Sequence, residues 1–163
     1  MHYTFEPMSE ENAHAVLEWR YEPPYSPYNP DPGEFGEWLR LLLDPGNFYY
    51  SILNEKGELA GYCCFGNDAR VPGGIYDNED VLDVGLGMRP DLTGQGRGYD
   101  FLNAILEFAR GEFSPAMFQV TVAAFNERAI HLYGKAGFKP VHTFVNGDGC
   151  RALKFIQMVR KET

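Results

Sequence analysis

An α/β fold is what the sequence predicts: one domain over residues 1–163, organised around a mixed sheet. Three observations carry the prediction. Stretches of strand-like alternation and stretches of helical periodicity succeed one another along the whole chain. They come in the order strand, two helices, three strands, helix, strand, helix, two strands, so hairpin-joined strands are interleaved with strands separated by a helix. At 163 residues, 44% hydrophobic and 23% charged, the chain can bury a sizeable core without metal or disulfide. It contains no internal repeat, low-complexity tract or linker.

The elements can be justified in turn. "YTFEPM" alternates as a short strand, and Ser9 then caps a helix with Glu10 and Glu11 in its first turn and Ala13, Val16 and Leu17 on its apolar side. Residues 21 to 32, "YEPPYSPYNPDP", hold five prolines and three tyrosines, too many fixed φ angles and missing donors for regular structure, and form a stiff aromatic loop. Phe35, Trp38, Leu39 and Leu42 fall at i, i+3, i+4 and i+7 of a second helix, which "DPG" stops. "FYYSIL" and "LAGYCCF", joined by "NEKGE", read as a hairpin. After the polar loop "GNDARVPGGIYDNED" come a buried strand "VLDVGLGM", a helix "FLNAILEFAR" and a strand "FQVTVAAF". A last helix "NERAIHLYGKA" leads into the closing hairpin of "FKPVHTFV" and "CRALKFIQMV" around the "NGDG" turn.

Composition narrows the partners. With 14 basic and 23 acidic side chains the formal net charge is -9, which repels nucleic acid and anionic membrane and favours a cationic partner, as well as simple solubility. The three cysteines include the adjacent Cys63 and Cys64, form no C-x-x-C pair and point to a reducing compartment. The four histidines lack metal-ligand spacing, so no metal is expected. "MHYTFEPMSEEN" has acids where a signal peptide has its apolar core, and no run reaches transmembrane length, so a cytoplasmic protein, monomer or homodimer, is expected.

The stretch "RPDLTGQGRGYDFL" places Gly94, Gly96 and Gly98 at alternate positions directly before a helical pattern. A helix N-terminus presents unpaired N–H groups and the positive end of the dipole, and glycines before it let a phosphate approach those amides with no Cβ in the way. The stretch is not a P-loop, since no Lys with a following Ser or Thr stands after Gly98. A dinucleotide fingerprint starting at Gly85 and Gly87 fails because its third position is Pro90. Turn geometry alone accounts for one or two glycines but poorly for three in alternation.

"GMRPDLTGQGRGYDFL" resembles the acetyl-CoA-binding motif of the GNAT N-acetyltransferase superfamily, Q/R-x-x-G-x-G/A, which falls on Thr93 to Gly98. "AAFNERAIHLYGKAGF" is similar to the family's next motif, an Asn ending a strand, a helix carrying a Tyr, and a G-F pair opening the next strand. The resemblance extends in element order from about Tyr3 to Arg160 and implies a central, mostly antiparallel mixed sheet flanked by helices. Two departures stand out. Thr93 replaces the usual Gln or Arg, leaving Gln95, Arg97 or Arg89 to supply that side-chain contact, and Gly134 lies inside the last helix, at a cost of roughly 1 kcal/mol relative to Ala.

The resemblance implies acetyl-CoA as co-substrate, its pyrophosphate on the amides of Gly94 to Tyr99. Its pantetheine arm would run between "VLDVGLGM" and "FQVTVAAF", with Leu86, Gly87 and Met88 as backbone partners and Asn126 as a further contact. It also implies direct transfer to an amine, an N–H near Leu86 or Gly87 facing the thioester carbonyl, and Tyr133 as the acid that protonates the leaving thiolate. Without the resemblance Tyr133 reads as a core residue on the apolar face it shares with Ala129, Leu132 and Ala136.

An amine with a pKa of about 10 must lose a proton on the way to attack. Asp83, charged inside an apolar strand, is either the base, acting through water over about 10 Å from Leu86, or the structural partner of an arginine. Glu79 and Asp80 are alternatives. Tyr21, Tyr25 and Tyr28 either pack around a small cationic acceptor or cover the second helix. Two further functional readings stay open: a non-catalytic acyl-CoA-binding or sensor module, and an enzyme acting on a peptide or protein N-terminus.

Overall fold

The computed structural model describes residues 2–162. Its elements are β1 (Thr4–Pro7), α1 (Glu10–Glu18), α2 (Phe35–Leu43), β2 (Tyr50–Leu53), β3 (Leu59–Phe65) and β4 (Val81–Met88), then α3 (Gly98–Phe113), β5 (Met117–Ala123), α4 (Glu127–Lys135), β6 (Lys139–Asn146) and β7 (Leu153–Lys161). This is the order read from the sequence. The strands form a mixed sheet in the order β1-β2-β3-β4-β5-β7-β6. β4 runs parallel to β5, while the β1–β2, β2–β3, β5–β7 and β6–β7 pairs are antiparallel. No helix among the described residues is long and apolar enough to cross a membrane. The chain sorts into two compact units. One runs up to Cys64 and resumes over Leu86–Phe108; the other consists of Phe65–Gly85 and the chain from Ala109 onward.

In the first unit, α1 starts where the Ser9 side chain accepts the Asn12 N–H at 3.1 Å, as the sequence predicts, with Glu10 and Glu11 against the positive end of the dipole. Its buried residues Ala13 and Leu17 meet Leu42 of α2 in a cluster sealed by Met8, Phe35, Leu39, Leu43 and Tyr49. α2 stops at Asp44, which the following Pro45 holds in extended geometry. Phe101, Leu102 and Ile105 of α3 are buried, each worth roughly 1.5–3 kcal/mol on removal from water. Phe101 meets Tyr3 edge to face and Phe108 stacks on Phe5 with centroids 4.4 Å apart. Gly61 lets Phe101 close on β3, since a Cβ there would lie 2.5 Å from its ring and 2.6 Å from the Gly87 carbonyl oxygen.

In the second unit, β5 and β7 pair from Met117↔Lys161 to Ala123↔Phe155, with Phe118, Val120, Val122 and Met158 buried. The β6–β7 register slips between Pro140 and His142, where proline has no N–H to offer the ladder. Arg160 spans the rings of Phe118 and Phe138, donates to the Ala136 carbonyl at 3.0 Å and pairs with Glu162, which also receives Arg110 at 2.7 Å. Burial opposes the charge on Glu162, yet the two arginines hold its carboxyl below the ordinary glutamate value.

Candidate active site

The glycine stretch lies in the first unit, between β4 and α3. The Arg89 N–H bonds the Ala60 carbonyl, and Pro90–Leu92 then makes a single helical turn. Side chains brace the loop beyond that turn. Thr93 Oγ1 donates to the Pro90 carbonyl at 2.7 Å, Gln95 Nε2 to the Asp91 carbonyl at 2.6 Å, and Arg89 binds both Asp91 and the Leu59 carbonyl. The Arg89 hydrogen bond keeps the Asp91 carboxyl below its ordinary range. Thr93, Gln95 and Arg89 are therefore committed to the shape of the loop, whereas Arg97 forms no ion pair among the described residues. Gly94 and Gly96 take φ of 71° and 76°, the left-handed region that favours glycine, and a Cβ at Gly96 would meet no heavy atom within 4 Å. α3 opens at Gly98, its first cross-turn bond running from the Phe101 N–H to the Arg97 carbonyl, so the amides ahead of Phe101 have no helical carbonyl behind them.

At the end of β4, Leu86, Gly87 and Met88 are half-buried. The Tyr62 ring lies over Gly87 closely enough that a Cβ there would collide with it. Tyr21 reaches the same strand: its Oη donates to the Met88 carbonyl at 2.7 Å, and burial, with Tyr28 beside it, pushes its pKa up to about 12. Asn29 holds Tyr21 by accepting its N–H at 2.7 Å and donating to its carbonyl at 3.0 Å. Tyr21 and Tyr28, with rings edge to face at 6.5 Å, line a cavity of about 460 Å³ together with Trp19, Trp38, Tyr49 and Tyr62 and the acids Asp31 and Glu34. Tyr25 is not among the lining residues. Nothing in the local sequence marks the other four rings for this role: Trp38 falls on the apolar side of α2, Trp19 at the end of α1, and Tyr49 and Tyr62 in strand-like runs.

In the second unit Asp83 is 3% exposed and both of its carboxylate oxygens are engaged, Oδ2 by Arg70 Nε and Oδ1 by Gln119 Nε2, each at 2.8 Å. Asp83 borders a second cavity, of about 350 Å³, with Tyr76, Asp77, Gln119, His142 and Gln157. Tyr76 Oη accepts the Val71 N–H and shares a hydrogen bond with Thr121 Oγ1, while Gln157 clasps both backbone groups of Ile75. Glu79 and Asp80 are exposed ahead of β4. Pairing of β4 with β5 is registered at Val81↔Met117, Leu82↔Phe118 and Asp83↔Gln119, the first three of the eight residues of β4.

Also in the second unit, Asn126 caps α4, its Oδ1 accepting the Ala129 N–H at 3.1 Å. Tyr133 is 7% exposed, with its ring 5.7 Å from that of Phe138, and its carbonyl accepts the Phe138 N–H. Gly137, at φ 96°, turns the chain out of the helix. Gly134 faces open space.

Comparison with known proteins agrees with this architecture. The chain is 30% identical over 111 residues to the N-alpha-acetyltransferase RimI of Mycobacterium tuberculosis; the match covers 68% of this chain and 64% of that protein's length. A chimera of the spermidine N-acetyltransferase SpeG from Vibrio cholerae and hSSAT superposes with a TM-score of 0.76 at 16% identity, covering 99% of this chain and 96% of the other. The aminoglycoside acetyltransferase AAC(6')-Ib, solved in complex with coenzyme A, superposes with a TM-score of 0.73 at 20% identity, covering 98% and 95%. Residues 13–138, which contain the glycine stretch and all of α4, match the acetyltransferase (GNAT) family, and the chain belongs to that family.

Proposed function

We propose that the protein transfers an acetyl group from acetyl-CoA directly to a primary amine. The observation that carries this reading is the braced loop at Gly94–Gly98, two of whose glycines hold left-handed geometry just before the first turn of α3. The pyrophosphate is assigned to the amides of Gly94 to Tyr99, with Arg97 as its cationic contact. The short β4–β5 register leaves the later part of β4, including Leu86, Gly87 and Met88, outside that ladder, as an extended pantetheine arm requires. An N–H near Leu86 or Gly87 is assigned to the developing oxyanion. The amine nitrogen bonds to the thioester carbonyl carbon, the carbon–sulfur bond breaks, the thiolate takes its proton from Tyr133, and the acetylated nitrogen sheds its second proton, which restores Tyr133. The proton of the incoming ammonium leaves through water to a carboxylate, with Asp83 first, then Glu79 or Asp80. Tyr21 and Tyr28 receive the acceptor, and Asn126 serves the cofactor side.

A second acceptor class, a peptide or protein N-terminus, is favoured by the similarity to RimI. Following CoA release from acetyl-CoA over a panel of small amines and peptide N-termini tests both. Turnover with small cationic amines supports the first, turnover confined to peptides the second. Tight acetyl-CoA binding with no turnover on any amine identifies a non-catalytic acyl-CoA module instead.

A further inference from the structure

The cavity between the aromatic loop, α1, α2 and the strands of the first unit has a one-sided chemistry. Six aromatic rings line it, two carboxylates sit in its wall, and no Lys, Arg or His is among its lining residues. Trp19 and Tyr49 each lie 6.2 Å from Tyr62 between ring centroids, and Trp38 Nε1 donates to Glu34 Oε2 at 3.4 Å, which sets a carboxylate at the N–H edge of the indole. Of its polar groups, Asn29 is engaged by the Tyr21 backbone and the Tyr21 hydroxyl by Met88. Ring faces attract a cation through their quadrupoles, and the carboxylates of Asp31 and Glu34, exposed at the cavity wall, add a solvent-screened attraction. A ligand hydroxyl pressed against Val16, Leu17 and Leu42 would lose its water hydrogen bonds, leaving only the Asp31 and Glu34 side of the wall to replace them.

We propose that this cavity is a cage for an organic cation, a quaternary or protonated alkyl- or arylalkylammonium group carried on an apolar body. Its role as part of the acceptor site rests on the acetyl-transfer reading above. On that reading the caged nitrogen is not the one acetylated, because an attacking nitrogen must be uncharged and the cage stabilises charge. The acceptor is then an amine with a second cationic centre and few hydroxyl groups.

The chain has 2 tryptophans, Trp19 and Trp38, and both line the cage, so intrinsic tryptophan fluorescence reports its occupancy. The probes are benzyltrimethylammonium and choline, with dimethylbutanol as choline's neutral carbon isostere. None has an N–H to acetylate, so their binding is read independently of turnover. Both cations should give a saturable change. Dimethylbutanol should bind about tenfold more weakly than choline or worse, and Glu34→Gln, or Asp31→Asn should that variant fail to fold, should weaken cation binding about tenfold while leaving the isostere unaffected. Equal binding of choline and dimethylbutanol, no saturable change with either cation, or unaltered cation affinity in the folded carboxamide variant overturns the cage. Cation binding without acetyl transfer to any amine keeps the cage and removes the transferase reading; transfer without cation binding does the reverse.

Discussion

The hydroxyl of Tyr21 donates a 2.7 Å hydrogen bond to the carbonyl of Met88, 67 residues further along the chain, and so ties the proline-rich aromatic loop to the end of β4. The residue expected to touch the acceptor thus also fixes a peptide of the strand proposed to hold the pantetheine arm.

Burial of the Tyr21 hydroxyl has a pH signature. Folded Tyr21 keeps its proton up to about pH 12, whereas an unfolded tyrosine releases it near about 10. The folded state therefore binds the extra proton in that window, and the stabilisation is full below about pH 10 and lost as pH rises toward about 12. Tyr21→Phe should cost about 1 kcal/mol at neutral pH, with the gap to wild type closing as pH rises. Urea titrations of both proteins at about pH 7 and about pH 11 measure it, and a gap that does not change with pH contradicts the assignment.

Gly96 tests the phosphate cradle. Its φ of 76° strains any β-branched residue, while the space around it is open. Gly96→Val should therefore fold with a penalty of roughly 1–2 kcal/mol. At about 100 times Kd, acetyl-CoA stabilises the wild type by roughly 2.7 kcal/mol, or several degrees in Tm at about 2–4 °C per kcal/mol. That shift should vanish in the variant; a full shift retained places the pyrophosphate elsewhere.

Much of this is legible in the sequence because it is local. Ser9 reads as a cap from its position before two acids, and "VLDVGLGM" delimits β4 as found. α3 begins three residues ahead of the apolar pattern at Phe101, since Gly98, Tyr99 and Asp100 form a first turn with no apolar face to betray it. The ion pair of Asp83 is foreseeable only as one possibility without a named partner, because Arg70 reaches it from a glycine-rich loop whose closure no periodicity encodes. Trp38 falls on the same helical spacing as Leu42, yet Leu42 is buried and Trp38 is 37% exposed at a cavity. Spacing identifies a face, and what that face meets is decided by tertiary packing.

Tyr133 separates packing from proton transfer. Tyr133→Phe keeps the ring against Phe138 and removes only the hydroxyl. Turnover should fall by roughly 10² to 10⁴, with acetyl-CoA affinity and Tm close to wild type. Unchanged turnover under conditions where chemistry limits the rate makes Tyr133 a core residue only.

Asp83 carries two proposals that one pair of variants can separate. Asp83→Asn retains an oxygen for Gln119 but removes the charge that faces Arg70, whose side chain is 35% exposed and can regain water. The stability loss should be about 1–3 kcal/mol, less than for a fully buried pair. Arg70→Gln breaks the same pair but leaves behind a carboxylate that is 3% exposed and cannot regain water, so it should lose more, about 3–5 kcal/mol. Their turnover should differ. If Asp83 accepts the proton, Asp83→Asn is slow at neutral pH and recovers as pH approaches the amine's own pKa of about 10, where the acceptor is already deprotonated. Arg70→Gln lacks that pH-dependent recovery. Measuring kcat/KM against pH for both, well below each variant's Tm, decides the matter. Should both lose stability and keep wild-type profiles, Asp83 is the structural partner of Arg70, and the proton goes to Glu79 or Asp80.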